Sequence, residues 1–379
     1  MSLRQPTIVL AAGGTGGHVF PAEALADALT ARGIEPVLFT DRRGRSFRGV
    51  KRVQPIAGGG IAGLGWAART RSVVALGYGL CQALWRLRRE APRAAIGFGG
   101  YASLPTMLAA TLLGIPTVVH EQNAILGRAN RLLAGRVGRI AVSFARMGAI
   151  PAGAEAKVTR VGMPVRPAFA GVQTVAYQPP LAHAPIRLLV LGGSQGAQVF
   201  STLIPDAIGR LDPQLRGRLQ ISQQCRPETL EATRAAYLDL AVDAELATFF
   251  EDVPFRMADA QLVIARSGAS TVAELTAVGR PAILVPYPHA TDDHQTANAR
   301  AIEAAAGGWM LEQKSLTAEA LAARLASLLT APDELAAAAA RAREAGTPDA
   351  ADRLADLVFS MIPVAGGCAA ANLPRQGAA

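Results

Sequence analysis

The chain reads as an α/β protein of two doubly wound domains facing one another across a cleft, and three features of its sequence say so. Apolar strand-like runs alternate with Ala/Leu-rich helical patterns along most of its length. One unit of strand, Gly-rich turn and helix occurs twice. Its first copy is Thr7–Ala11, Gly13–His18 and Ala22–Ala31; its second is Ile186–Leu191, Gly192–Gly196 and Ala197–Ile208, with Thr15 matching Ser194, Asp27 matching Asp206 and Leu29 matching Ile208. The length of 379 residues suits two domains of roughly 150 to 200 residues better than a single core.

Taken in order, the strands of the first half are predicted at Thr7–Ala11, Pro36–Thr40, Ala94–Phe98, Thr117–His120, Arg139–Ser143 and Lys157–Val161. Those of the second half fall at Arg187–Leu191, Arg218–Ser222, Ala247–Phe250, Gln261–Ala265 and Ala282–Val285. The stretch 94–119 carries no charge and is long enough by count to cross a membrane. Gly97, Gly99, Gly100, Pro105, Gly114 and Pro116 divide it into strand, turn, helix and strand, so it is expected to be a buried βαβ unit and not a transmembrane helix. Pro164 and Pro167 interrupt regular structure, which places the domain break there, residues 1–163 against 164–347. Ala168–Pro185 reads as a loose connector. Helices at Pro332–Ala345 and Pro348–Met361 close the fold, and the Gly/Ala/Pro-rich residues 362–379 read as a disordered tail.

Composition narrows the classes. Half of the residues are hydrophobic and 18% are charged, ample for buried parallel sheets. Cys81, Cys225 and Cys368 are odd in number and form no C-x-x-C pair, which argues for a reducing compartment and against structural zinc. Met1–Gln5 has no apolar core of a secretory signal. The formal charge of +9 is concentrated: residues 41–93 hold twelve basic side chains, among them Arg42, Arg43, Arg86, Arg88 and Arg89, against Asp41 and Glu90. Trp66, Leu80, Leu84 and Trp85 are interleaved with them, the pattern of a surface that lies on an anionic bilayer. An ordinary solvated helix with a core-facing stripe is the competing reading. No nucleic-acid-binding motif accompanies the charge.

Each Gly-rich turn presents backbone N–H groups and a positive helix end to an anion, so each can cradle a phosphate. Neither belongs to the common nucleotide classes. Counting from Gly14-x-Gly16, the third glycine of a dinucleotide fingerprint would stand at residue 19, which is Val19, and no Gly-Lys-Ser/Thr follows either turn. His18, directly after the first cradle, is placed to take a proton from a hydroxyl nucleophile. Arg266–Glu274 opens a further helix after a strand; Glu274 is a candidate to hold a ribose diol and, three residues after Thr271, a capping-box acid. Asp292-Asp293 reads as N-terminal charge complementing a helix dipole and not as a metal site.

Six motifs occur together in this order: Gly13–His18, Gly97–Ser103, His120–Asn123 (His-Glu-Gln-Asn), Gly192–Ala197, Arg266–Ala269 and His294-Gln295. From about Thr7 to Met361 the chain thereby resembles the MurG family, the UDP-N-acetylglucosamine–N-acetylmuramyl-(pentapeptide) pyrophosphoryl-undecaprenol N-acetylglucosaminyltransferases that make lipid II. The resemblance implies a GT-B fold of two Rossmann-like domains, with the lipid-linked acceptor on the first, UDP-GlcNAc on the second and the last helix crossing back to the first. It implies no cofactor and no metal. As partners it implies UDP-GlcNAc, undecaprenyl-linked lipid I, an anionic membrane surface at the cytoplasmic face of the inner membrane, and other cell-wall synthesis proteins.

The same resemblance assigns Thr15, Gly16, Gly17 and Asn123 to the substrate cleft and Tyr101 to the acceptor side. Ser194 goes to the donor pyrophosphate, with Gln195 and Gly196 in the same turn. Arg166 and the backbone around Phe250 border the uracil, and Glu274 holds the ribose. Arg266, Ala269, Ser270, Thr271, His294 and Gln295 complete the substrate-binding set, and His18 is the base. Met163 stands where Asn is expected, Phe250 replaces a smaller aliphatic residue, and His294 occupies a position that can be Gln. The rival enzyme of the same architecture is a UDP-GlcNAc 2-epimerase; a non-catalytic nucleotide-sugar-binding membrane adaptor is the second rival.

Overall fold

The computed structural model describes residues 6–13, 16–41, 50–58, 66–193 and 197–363. Its first half runs β1 (Thr7–Ala11), α1 (Gly16–Ala31), β2 (Glu35–Thr40), β3 (Arg52–Pro55), α2 (Trp66–Glu90), β4 (Ala94–Gly97), α3 (Gly100–Leu112), β5 (Thr117–Glu121), α4 (Arg128–Ala134), β6 (Arg139–Val142) and β7 (Val158–Arg160). The second runs β8 (Ile186–Leu191), α5 (Phe200–Gly209), α6 (Pro213–Arg216), β9 (Leu219–Gln224), α7 (Leu230–Asp239), β10 (Asp243–Ala247), α8 (Val253–Asp259), β11 (Leu262–Ala265), α9 (Ala269–Val278), β12 (Ala282–Leu284), α10 (His294–Ala304), β13 (Gly308–Met310), α11 (Ala318–Leu329), α12 (Pro332–Ala345) and α13 (Ala350–Ser360).

The strands form two parallel sheets, ordered β3-β2-β1-β4-β5-β6-β7 and β10-β9-β8-β11-β12-β13. In both, the chain starts in the middle, winds outward to one side and then returns to the other. That reversal opens a crevice at the carboxyl ends of the central strands, between β1 and β4 in one sheet and between β8 and β11 in the other. The register pairs Ala11 with Gly97 and Leu191 with Ala265, so the two strands that precede the Gly-rich motifs end at equivalent points of their sheets. Fully buried strands such as Thr7–Ala11 and Leu262–Ala265 are apolar almost throughout because helices cover both faces.

The last helix returns to the first sheet. Leu354, Ala355 and Val358 of α13 share a core with Ile8, Leu10, Leu25 and Leu29, and Arg32 pairs with Asp352 (2.9 Å) and Asp356 (2.7 Å).

Several sequence expectations are corrected. The edge strands β3 and β13 were not foreseen: Arg-Val-Gln-Pro and Gly-Trp-Met are short and only partly buried, so neither shows an apolar run. The strand expected at Ala247–Phe250 lies earlier, at Asp243–Ala247, because its ladder to β9 ends at Ala247 opposite Gln224. Helix α1 begins at Gly16, not Ala22, which places His18 in its first turn. The connector is not loose: residues 167–172 form a 3₁₀ turn whose Phe169 and Val172 are buried with Leu189, Met257 and Leu275, and the Tyr177 hydroxyl donates to the Gln261 carbonyl at 2.8 Å.

Candidate active site between the two sheets

The first wall is built from backbone. Gly99 and Gly100, which link β4 to α3, have φ of 84° and 70°, a region unfavourable for side chains. His18 lies against them. A Cβ on Gly99 would stand 3.4 Å from His18 Nε2, and one on Gly100 would stand 3.6 Å from Cε1. Desolvation, seconded by the charge of His294 across the cleft, lowers the His18 pKa to about 4. The imidazole is therefore neutral at physiological pH, the form able to accept a proton. Tyr101, in the first turn of α3, lies near Arg128. Gly16 and Gly17 open α1 beneath His18. Thr15 lies outside the described residues.

His120–Asn123 divides into supporting residues and one cleft residue. His120 is fully buried. Its Nε2 sits 2.9 Å from the Gly162 carbonyl, an acceptor only, and its Nδ1 faces Gln122 Nε2 at 3.1 Å, so Nε2 carries the proton. Burial lowers its pKa to about 4. The buried Glu121 carboxylate accepts from the Asn123 and Gly127 backbone N–H groups at 3.1 and 2.8 Å, and from the Asn130 amide at 2.9 Å. That shapes the loop and delivers Asn123 to the opposite domain, where its Oδ1 accepts from Asn298 Nδ2 at 3.1 Å.

The second wall is built from paired side chains. Arg166 Nε donates to Glu274 Oε1 at 2.8 Å, while the guanidinium lies 5.1 Å from the ring centroids of both Phe20, in α1, and Phe169. Glu274 is 5% exposed, and its desolvation raises the pKa against the lowering effect of Arg166. The capping-box role expected for Glu274 is not observed. Helix α9 is capped by Gly268 without a side-chain bond, Thr271 lies within its first turn, and the carboxylate faces Arg166. Ala269, Ser270 and Thr271 make up that first turn, whose N–H groups have no helical acceptors.

Arg266 is brought near the site, but its guanidinium turns inward. It donates to the carbonyls of Val285 and Pro286, both at 3.1 Å, and to Gln313 Oε1 at 2.6 Å, between the rings of Phe200 and Tyr287. Its structural work is to anchor the segment after β12. Phe250 is buried just beyond β10, with the Arg256 guanidinium 4.2 Å from its ring centroid. Met163, also buried, lines an interdomain cavity of about 430 Å³ together with Gln122, Ala269 and Val272. Ser194, Gln195 and Gly196 lie outside the described residues.

The segment entering α10 completes the cleft. His294 Nδ1 is 2.7 Å from the Thr291 carbonyl, so Nδ1 carries a proton and donates. Gln295 Oε1 accepts from the Tyr287 N–H at 2.9 Å. Asp292 does not complement the helix dipole as expected. It has left-handed backbone (φ 52°), and its carboxylate crosses to the first domain, pairing with Arg128 at 2.6 Å and with Arg131. No local sequence pattern encodes the interdomain contacts of Asn298 or Asp292.

Residues 8–142 match the glycosyltransferase family 28 N-terminal domain, and residues 187–354 match its C-terminal domain. The chain belongs to glycosyltransferase family 28. Within that family it is 57% identical to a protein of Paramagnetospirillum magneticum over 96% of this chain and 99% of the relative. It is also 57% identical to one of Rhodospirillum rubrum, over 93% and 91%. Both bear the name UDP-N-acetylglucosamine–N-acetylmuramyl-(pentapeptide) pyrophosphoryl-undecaprenol N-acetylglucosamine transferase. A solved structure, that of Acinetobacter baumannii MurG, superposes with a TM-score of 0.77 at 29% identity, covering 94% of this chain and all of that one. A Neisseria meningitidis UDP-GlcNAc 2-epimerase shares the fold alone, with a TM-score of 0.64 at 10% identity.

Proposed function

We propose that this glycosyltransferase moves GlcNAc from UDP-GlcNAc to the C4 hydroxyl of MurNAc in undecaprenyl-pyrophosphoryl-MurNAc-pentapeptide, converting lipid I to lipid II with inversion at C1. The observation that carries the reading is His18 of the first domain packed against the Gly99–Gly100 backbone, with the Arg166–Glu274 pair of the second domain reaching Phe20 on the same helix as His18. His18 takes the acceptor hydroxyl proton as the oxygen forms its bond to C1, and the bond from C1 to the UDP oxygen breaks with its electrons. The first-turn N–H groups of α9 at Ala269–Thr271 suit the charge that develops on departing UDP, a role assigned also to the motif Ser194–Gly196, which lies outside the described residues. Glu274 suits the ribose diol, Arg166 and the Phe250 backbone the uracil, and His294 and Gln295 the sugar or phosphate.

The proposal includes the division of labour between residues 1–163 with 348–361, for the acceptor, and 164–347, for the donor. It also includes peripheral attachment to the cytoplasmic membrane face. On α2, Val73, Val74, Tyr78 and Trp85 are exposed, Val74 by 71% and Trp85 by 57%, and the Arg89 guanidinium lies 4.6 Å from the Trp85 ring. Arg88 is exposed beside them. Among the described residues, two of the basic side chains are drawn away from that surface: Arg52 is paired with Glu35 and Glu90, and Arg86 is partly buried. Arg42, Arg43, Arg45 and Arg48, and the side chains of Trp66, Arg69 and Arg71, lie outside the described residues. No described helix is long and apolar enough to cross a membrane.

The deciding experiment is transfer of radiolabelled GlcNAc to a short-chain lipid I analogue, with an acceptor-free control. Labelled disaccharide-lipid that requires acceptor is expected. Epimerisation or UDP release without acceptor would favour the isomerase, and binding without turnover would favour the adaptor.

A further inference from the structure

Asn298, in the second turn of α10, is fully buried and joins three segments from two domains. Its Oδ1 accepts from the Ala124 backbone N–H at 2.8 Å, while its Nδ2 donates to Asn123 Oδ1 at 3.1 Å and to the Ser267 carbonyl at 3.0 Å. One neighbour is an obligate donor and another an obligate acceptor, so the amide has only one satisfactory orientation. The network continues to both walls of the cleft. Asn123 Nδ2 donates to Glu121 Oε1 at 3.3 Å, and Ser267 Oγ donates to the Gln295 carbonyl at 2.8 Å.

Helix α10 is held to the first domain a second time at its entry, where Asp292 meets Arg128 and Arg131. His294 and Gln295 lie between the two attachments. They are therefore the part of the second domain whose location depends most directly on how the domains meet.

We propose that Asn298 is a positioning residue for glycosyl transfer: through Asn123 on one side and Ser267 on the other, it couples docking of the two domains to the seat of the donor's sugar at Gln295. Asp292 is the solvent-side half of the same attachment. Opening the cleft would return the Asn298 amide and the Asp292 carboxylate to water and release α10 from loop 121–127. Neither residue contacts substrate in this proposal. Their effect should fall on the sugar and on turnover, and should spare the uridine.

The inference rests on the transferase reading, and one set of measurements separates the two. Dissociation constants for UDP and for UDP-GlcNAc are measured by calorimetry on the full chain, together with kcat on a short-chain lipid I analogue. Asn298→Ala and the isosteric Asn298→Asp, which replaces the donor with an acceptor, should leave UDP affinity within about threefold and lower kcat about tenfold or more. The added affinity of UDP-GlcNAc over UDP should be reduced. Ser267→Ala, a smaller change on the same path, should act in the same direction by about fivefold, and Asp292→Asn likewise.

Folded Asn298 variants with unchanged kcat and unchanged preference for UDP-GlcNAc would overturn the proposal, as would equal loss of UDP and UDP-GlcNAc binding. If the Asn298 variants do not fold, normal behaviour of both Ser267→Ala and Asp292→Asn overturns it. If the unsubstituted chain transfers no GlcNAc, the transferase reading has failed, and the binding preference alone decides the role of Asn298.

Discussion

The two walls of the cleft solve the same problem with different materials. The first sheet contributes glycine backbone and one imidazole: Gly99 and Gly100 let the His18 ring come close, and desolvation keeps that ring neutral. The second contributes the Arg166–Glu274 ion pair, with Arg166 drawing Glu274 toward its charged form against burial. A neutral imidazole can take up a proton and release it again during turnover, whereas a paired carboxylate is suited to accepting fixed hydrogen bonds. The contrast suits the proposed division of labour, with chemistry on the first wall and the nucleoside on the second.

Removing the imidazole should break this comparison most severely. His18→Ala is expected to lower kcat by about 10²- to 10⁴-fold, the range for loss of a general base, while calorimetric UDP affinity stays close to that of the unsubstituted chain. Near-normal turnover would make His18 a helix-terminal packing residue. In the unsubstituted chain, its ionisation should place the acid limb of kcat/KM near pH 4, well below the usual histidine range.

Acid should next separate the walls by stability. His120, behind the first wall, has a folded pKa of about 4 against an ordinary value of 6.5. Between those values the unfolded chain binds the extra proton, so the stability from keeping His120 neutral is complete above pH 6.5 and disappears as pH falls toward 4. At about 1.4 kcal/mol per pKa unit the loss approaches about 3 kcal/mol. Glu274, raised by burial, has the opposite sign. Urea unfolding at pH 7 and pH 4.5 tests the balance; equal stability at both would mean that the first wall does not dominate the acid response.

Glu274→Ala should sharpen the comparison from the other side. Loss of a charge-assisted partner to the ribose should weaken UDP by roughly 1.5 to 3 kcal/mol, or about 10- to 100-fold, with a smaller effect on kcat at saturating donor. An unchanged dissociation constant would confine Glu274 to holding Arg166.

The smallest effect on turnover is expected outside the cleft. Reversing Arg88 and Arg89 to Glu should weaken partitioning onto anionic vesicles at low salt by about 2 kcal/mol, roughly 30-fold, at about 1 kcal/mol per basic residue near the surface, and the difference should shrink at high salt. Turnover on a soluble acceptor analogue should be unaffected. Equal vesicle binding by both proteins would assign the exposed side of α2 to ordinary solvation.

Much of this molecule is legible from local pattern. Buried parallel strands are apolar along their whole length, so Thr7–Ala11 and the core of the strand at Ile186–Leu191 stand out, and the Gly-rich turns after them mark the crevice of each sheet. The edge strands β3 and β13 escape because half of an edge faces solvent. The boundary of β10 escapes because where a strand ends depends on where its partner does.

Residue type and order alone determined the repeated strand-turn-helix unit, the family motifs, and the identity of His18 and Glu274 as groups of interest. Tertiary structure decided what each polar group does. It gave Glu274 to Arg166 instead of to a helix cap, turned the Arg266 guanidinium inward, and sent Asp292 and Asn298 across to the other domain. Helical and strand periodicity are encoded within a few residues, but a hydrogen bond between residues 174 apart, such as that from Ala124 to Asn298, exists only once both sheets have formed and docked.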